Sequence, residues 1–215
     1  MKALGRKGGV HGAIDLGASS ARLMSGRLED EKLVVEEVVR VPNGPVTLSD
    51  GIHWDLLYIY DKMLEGIAEL SRRFPDEELS VGIDGWGVDY GLVDEDGRLM
   101  GPPFHYRDQR TTGLLDKAES LVGLSSIYEA TGIQVMAYNT LYQLLAEKSS
   151  AAYRQASKLL LIPDLLAYMF TGKARLETTN ASTTQLLALI HRKTSGGRLW
   201  GTEPSRMGRS CRRGV

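Results

Sequence analysis

Between residues 10 and 41 the apolar positions come in short runs with partial alternation, the period of strands rather than helices. Residues 10–16 predict a strand that delivers Asp15 to its end; a turn of small residues follows, and a second strand resumes over 22–28. The Val-rich stretch 32–41 predicts a third antiparallel strand, reached through the polar turn 29–31, so a three-strand meander opens the domain. Residues 54–74 then place Leu57, Tyr60, Met63, Leu64, Ile67, Ala68 and Leu70 at helical spacing, with Asp55 near the helix start. Short strands are expected at 79–83 and 90–93, the second running into the turn DEDG. Segments 112–122, 125–131, 140–148 and 150–170 have a helical period. Pro163 marks either a boundary or the first turn of a new helix, and Thr171-Gly172 a stop. The pattern is mixed α/β, with the later helices forming a cap or insertion on the sheet.

Composition narrows the function classes. Lys+Arg 26 against Asp+Glu 27 gives a net charge of -1, so no global charge recruits nucleic acid or an anionic membrane. The single cysteine, Cys211, excludes an intrachain disulfide and a cysteine-cluster zinc site, which suits the cytoplasm. His11, His53, His105 and His191 fall in no metal-ligand spacing, and neither GxxxxGK[ST] nor a strand-borne GxGxxG is present. No apolar run reaches the roughly 20 residues of a membrane helix. Residues 1–12 read as a flexible leader. Residues 189–215 are crowded with Arg, Gly and Ser, and read either as a basic arm for an acidic partner or as a disordered or frameshifted end.

Two constellations carry chemistry. In AIDLGASSARL, Gly17, Ala18, Ser19 and Ser20 form a turn whose small side chains leave backbone N–H groups open to an anion. Asp15 beside it supplies the charge to hold a hydrated Mg²⁺, and Arg22 a cation for phosphate. The alternative is a plain hairpin with Gly17 at positive φ. In VGIDGWGVDYGLVDEDG, Asp84 ends a strand and Gly85 and Gly87 flank Trp86, which suggests close approach of a flat ligand such as a sugar. The alternative is a buried indole with Asp84 and Asp89 capping turns.

These strings resemble the FGGY carbohydrate kinases, within the superfamily of actin, Hsp70 and hexokinase. DLGASSAR is close to the form of the rhamnulokinase group, with Ala21 where that group has Gly; GIDGWGVDY is similar to its IDTWGVDF, with Gly85 in place of Thr. HYRDQRT, YNTLYQL and LLLIPDLLAYMFTGKARLETTNASTTQLL extend the likeness in order to Leu187, and Trp54-Asp55 falls on a Trp-Asp pair of the group. The resemblance implies a ribonuclease H-like or actin-like ATPase lobe over 13–188, with a mixed sheet, an antiparallel phosphate-loop hairpin and helical insertions. It implies ATP phosphates at Gly17, Ala18, Ser19, Ser20, Ala21 and Arg22, and Mg²⁺ on Asp15 through water. It places a sugar near Asp84, Trp86, Gly87, Arg107, Asp108 and Asn139, although Arg107 and Asp108 could simply pair charges and Asn139 or Asp55 could cap helices.

The implied reaction is transfer of the γ-phosphoryl group of ATP to L-rhamnulose. In the resembled family the base is an Asp of a second lobe, and this sequence ends before reaching it. A truncated, fragmentary or frameshifted and inactive chain is therefore expected, with Asp84 or Asp89 the only substitute bases at hand. The alternatives are a kinase for another sugar or polyol and a noncatalytic sugar- or nucleotide-binding module.

Overall fold

The computed structural model describes residues 9–188; residues 1–8 and 189–215, and with them most of the expected leader and the basic tail, lie outside the described residues. A four-stranded sheet in the order β3-β2-β1-β6 is built from β1 (Val10–Leu16), β2 (Ser20–Glu29), β3 (Lys32–Pro42) and β6 (Leu79–Gly85). The first three strands pair antiparallel as the meander predicts, while β6 returns parallel to β1, so the sheet is mixed. Strand β1 begins at Val10, inside the segment 1–12 assigned to a leader.

The chain crosses from β3 to β6 through helix α1 (Leu56–Arg73), whose residues Leu56, Ile59, Met63, Gly66 and Leu70 recur at helical spacing and are buried. They meet Val10, Ile14 and Leu16 of β1 and Leu23 of β2 in the main core, each fully buried aliphatic contributing about 1.5–3 kcal/mol. Asp55 is the helix cap, its Oδ1 accepting from Tyr58 N at 3.1 Å. Arg72 and Arg73 complement the dipole at the other end. On the opposite side of β1, His11 and Ala13 are exposed and Asp15 half-buried, so only one face of this strand is covered among the described residues.

Three features depart from the sequence pattern. A hairpin of β4 (Pro45–Leu48) and β5 (Gly51–Trp54) precedes α1, its four-residue strands too short to announce themselves. The second strand starts at Ser20, so Ser20 and Ala21 belong to the strand and not to the turn. The helical stretch expected over 150–170 is interrupted by a strand, as α5 (Ala151–Gln155), β8 (Lys158–Leu161) and α6 (Ile162–Thr171); Pro163 lies in the first turn of a new helix, one of its two expected roles. The run KLLL is ambiguous by period, and pairing with β7 (Tyr90–Val93), Tyr90 opposite Leu161, decides it. Helices α2 (Leu114–Leu121), α3 (Leu124–Thr131), α4 (Thr140–Glu147) and α7 (Thr178–Ala181) complete the helical half.

Between β7 and α4 lies a buried carboxylate. Asp89 is fully buried and accepts from Trp54 Nε1 at 2.6 Å, Trp86 Nε1 at 3.1 Å and Tyr106 N at 3.1 Å on Oδ2, and from Gln143 Nε2 at 2.8 Å on Oδ1. One side chain thus ties β5, the segment after β6, the loop after β7 and α4. Burial pushes its carboxyl up to about 6 from the ordinary 3.8, against the pull of Trp54, Gln143, Tyr106 and Trp86. Between those two pH values the folded chain binds more protons than the unfolded one. The contribution of Asp89 to stability therefore falls as pH rises through the window, by about 3 kcal/mol. The difference in unfolding free energy between wild type and D89N should shift in that direction between pH 4 and pH 7; a pH-independent difference contradicts it. At pH 7, D89N should cost about 1–3 kcal/mol, because the new amide points a donor at donors.

Candidate active site

The carboxyl ends of the parallel strands β1 and β6 lie side by side, with Asp15 opposite Asp84 and Leu16 opposite Gly85. In open α/β sheets this end of parallel strands is where ligands bind. The turn from β1 to β2 sits there too. Gly17 N donates to Ser20 O at 2.9 Å, and a Cβ on Gly17 would come within 2.9 Å of that same oxygen; its φ is not positive, so close approach rather than handedness calls for glycine. The N–H groups of the exposed Ala18 and Ser19 engage no hydrogen bond among the described residues. They are the donors left for an anion.

Asn43, just past β3, locks this turn: its Nδ2 donates to Gly17 O at 2.7 Å and its N to Ser19 O at 3.0 Å. Sequence reading missed it, since an Asn before Gly reads only as a turn residue. Arg22 and Asp15 pair with each other, Nε to Oδ2 at 2.7 Å, both side chains remaining partly exposed. Ala21 is wholly buried between Leu16 and Val41, so its side chain packs the core beneath the turn.

Beside this end opens a cleft of about 280 Å³, lined by Asp84, Gly85 and Gly87 on one side and by Asp164, Glu177, Asn180 and Thr183 on the other. Glu177 N donates to both oxygens of Asp164 at 3.2 and 3.3 Å, while Glu177 caps α7. Burial pushes Asp164 up, and the hydrogen bonds from Thr179 hold Glu177 down. Asn180 Nδ2 is buried and has no hydrogen-bond partner among the described residues. Among the described residues no three His, Cys, Asp or Glu side chains converge as metal ligands.

The glycines around Trp86 serve the protein's own packing. A Cβ on Gly87 would lie 2.6 Å from Thr183 Oγ1, and one on Gly85 3.0 Å from Leu16 Cβ and 3.2 Å from Pro163 Cγ. The close approach inferred from the sequence is thus between segments of the chain. Trp86 is half-buried and heads an aromatic ladder: 4.1 Å to Trp54, which stacks at 3.9 Å on His105, followed by Tyr106 at 4.5 Å and Tyr138 at 6.0 Å from Tyr106. Burial, aided by Arg107, pushes the His105 imidazole down, and Arg107 N donates to its Nδ1 at 3.0 Å. Tyr106 and Trp54 are ladder members that the motif search did not single out as ligand contacts.

Of the expected sugar residues only Asp84 and Gly87 line the cleft; Trp86, Arg107, Asp108 and Asn139 stand apart from its lining. Arg107 is exposed, its guanidinium 5.4 Å from the Tyr106 ring. Asp108 spends both oxygens on backbone, accepting from Ile52 N at 2.8 Å and Arg110 N at 2.9 Å, which makes it a clasp between loop and hairpin. Asn139 is buried and donates to Gln134 O at 2.9 Å; it occupies the cap position of α4 without capping it. Of the two substitute bases, Asp89 is sealed by its four donors and cannot meet an incoming hydroxyl, whereas Asp84 is exposed.

Residues 10–196 match the FGGY family of carbohydrate kinases, N-terminal domain, and the match reaches into the segment 189–215. A rhamnulokinase of Ligilactobacillus salivarius is 42% identical over 177 residues, covering 82% of this chain and 36% of the relative. One of Bacillus subtilis is 41% identical over 178 residues, covering 83% and 36%. The chain spans a little over a third of the length of these curated relatives. Among solved structures, gluconate kinase from Lactobacillus acidophilus superposes with a TM-score of 0.74 at 20% identity, over 85% of this chain and 37% of that one. Ligand-bound xylulose kinase from the same organism gives 0.72 at 21%, over 88% and 38%, and Plasmodium falciparum glycerol kinase with ADP gives 0.66 at 17%, over 88% and 40%. These likenesses establish the fold as the actin-like ATPase lobe that the sequence resemblance implies. With 187 consecutive positions matched, 10–196, the chain belongs to the FGGY family of carbohydrate kinases.

Proposed function

We propose that this chain is the phosphate- and sugar-binding lobe of an ATP-dependent kinase whose whole form phosphorylates L-rhamnulose on its 1-hydroxyl, in the cytoplasm. The observation that carries the proposal is the juxtaposition at one sheet end: free N–H groups of Ala18 and Ser19, Asp15 opposite Asp84, and the adjoining cleft. The choice of L-rhamnulose over other ketoses and polyols follows the rhamnulokinase relatives, near 42% identity, because the solved kinases for other substrates share only the fold.

In this scheme the turn donors hold the phosphate oxygens of ATP and Arg22 adds a positive charge beside them. Asp15 fits the water-mediated magnesium role, since Mg²⁺ keeps several waters and takes one or two carboxylates. Its pairing with Arg22 holds its carboxylate at the turn when no metal is bound. Bound Mg²⁺ would neutralise phosphate charge, the main demand of phosphoryl transfer besides positioning. The sugar is held by the Asp84, Trp86 and Gly87 segment. Asn180 offers it a donor if the side chain turns into the cleft. The proton of the attacking hydroxyl needs a base, which the resemblance assigns to an Asp of a second lobe.

D15N should weaken ATP binding about tenfold with Mg²⁺ present and leave metal-free binding unchanged, as read by calorimetry. An equal loss under both conditions contradicts the assignment of Asp15. In a coupled ADP-release assay with L-rhamnulose, xylulose, gluconate and glycerol, the 215-residue chain should give no turnover with any. L-Rhamnulose should be the one that binds. Turnover with L-rhamnulose would overturn the inactivity, and preference for another substrate would overturn the sugar.

A further inference from the structure

We propose that Asp89, which touches no ligand itself, is a positioning residue for sugar recognition, fixing Trp86 and the Tyr106 backbone from beneath; this rests on the assignment of Trp86 to the sugar site. The half-buried Trp86 ring is fixed on one face and at its N–H: the face lies against Trp54 and the N–H donates to Asp89. The same Oδ2 takes the Trp54 N–H, so one oxygen sets the angle between the two indoles, 35°. It also takes the backbone N–H of Tyr106, a further residue of the ladder whose ring lies 6.0 Å from Trp54.

The carboxylate is itself immobilised. Gln143 donates to its Oδ1 at 2.8 Å, and Arg110 Nη2 in turn donates to Gln143 Oε1 at 2.6 Å, so the amide of Gln143 cannot flip without losing both bonds. The backbone between Trp86 and Asp89 is equally constrained. Val88 has φ 68°, a conformation that a β-branched residue adopts only when its surroundings enforce it. Asp89 N donates to Gly87 O at 2.9 Å across it, the bond of a γ-turn. Thr183 Oγ1 accepts from Val88 N at 3.1 Å, and Thr140 Oγ1 donates to Val88 O at 2.6 Å. A buried, charged, fully bonded group below a strained loop is costly for stability alone. It is what a rigid recognition surface requires.

Two indoles at 4.1 Å couple their transitions, so circular dichroism carries a bisignate band that reports their mutual angle independently of any ligand. W86F defines the signal without the pair. In D89N, at a temperature where unfolding curves show it folded, the band should lose most of its amplitude and the dissociation constant for L-rhamnulose should rise about tenfold. A folded D89N with wild-type band and wild-type affinity overturns the proposal. If D89N does not fold, Q143A keeps the carboxylate and removes one donor; it should show a smaller loss in both readouts, and no loss in either overturns the proposal equally. W86A with unchanged sugar affinity, or a wild type that binds no L-rhamnulose, would sink the sugar assignment instead, while the band in D89N still decides whether Asp89 positions the ring.

Discussion

The helical half of this lobe is organised around a charge that water cannot reach. A buried carboxylate is tolerable only when donors surround it, and Asp89 draws its four from β5, the loop after β6, the loop after β7 and α4. Segments far apart in sequence are thereby fixed relative to one another with the directionality of hydrogen bonds, which apolar packing alone does not supply. The cost is a carboxyl whose ionisation is pushed up to about 6. The loop that bears Trp86 is tied to it by a hydrogen bond, with the left-handed Val88 between them.

The strand half obeys a simpler rule. Parallel pairing of β1 with β6 brings two chain reversals to one edge, and residues that leave the sheet there are necessarily neighbours: Asp15, the turn at Gly17, Asp84 and the glycines after it. The turn is held open by interactions of its own, Gly17 to Ser20 and Asn43 to both flanks, which leave two amides unspent. A turn with two open amides among the described residues and a cleft lined by Asp84 thus come from topology, and their chemistry from three or four side chains.

Much of this was legible in sequence. Strand β7 has the bounds its apolar run predicts, the meander is as expected, and the motif order gave the family and the lobe. Within the helical stretch expected over 150–170 the strand β8 was missed because KLLL suits either period, and only the partner strand, more than sixty residues earlier, makes it β. The site was read less well than the fold. Motifs mark which residues matter, but they do not say whether a polar side chain faces inward or outward. Asp108 and Asn139 turn out to bind backbone, Gly87 makes room for Thr183, and Asp89, read as a turn cap or a substitute base, is the hub. Asn43 has no signal at all until its contact across the sheet end is seen.

The central claim, that the sheet end at the turn Gly17 to Ser19 receives nucleotide, is tested most directly by backbone amide shifts of the isotopically labelled chain on addition of ATP with Mg²⁺. The account predicts that the amides of Ala18 and Ser19 move most, with smaller shifts at Asp84 and Gly85, and that those of Asp108 and Asn139 stay in place. Shifts centred on the aromatic ladder, or none at the turn at saturating nucleotide, would contradict it.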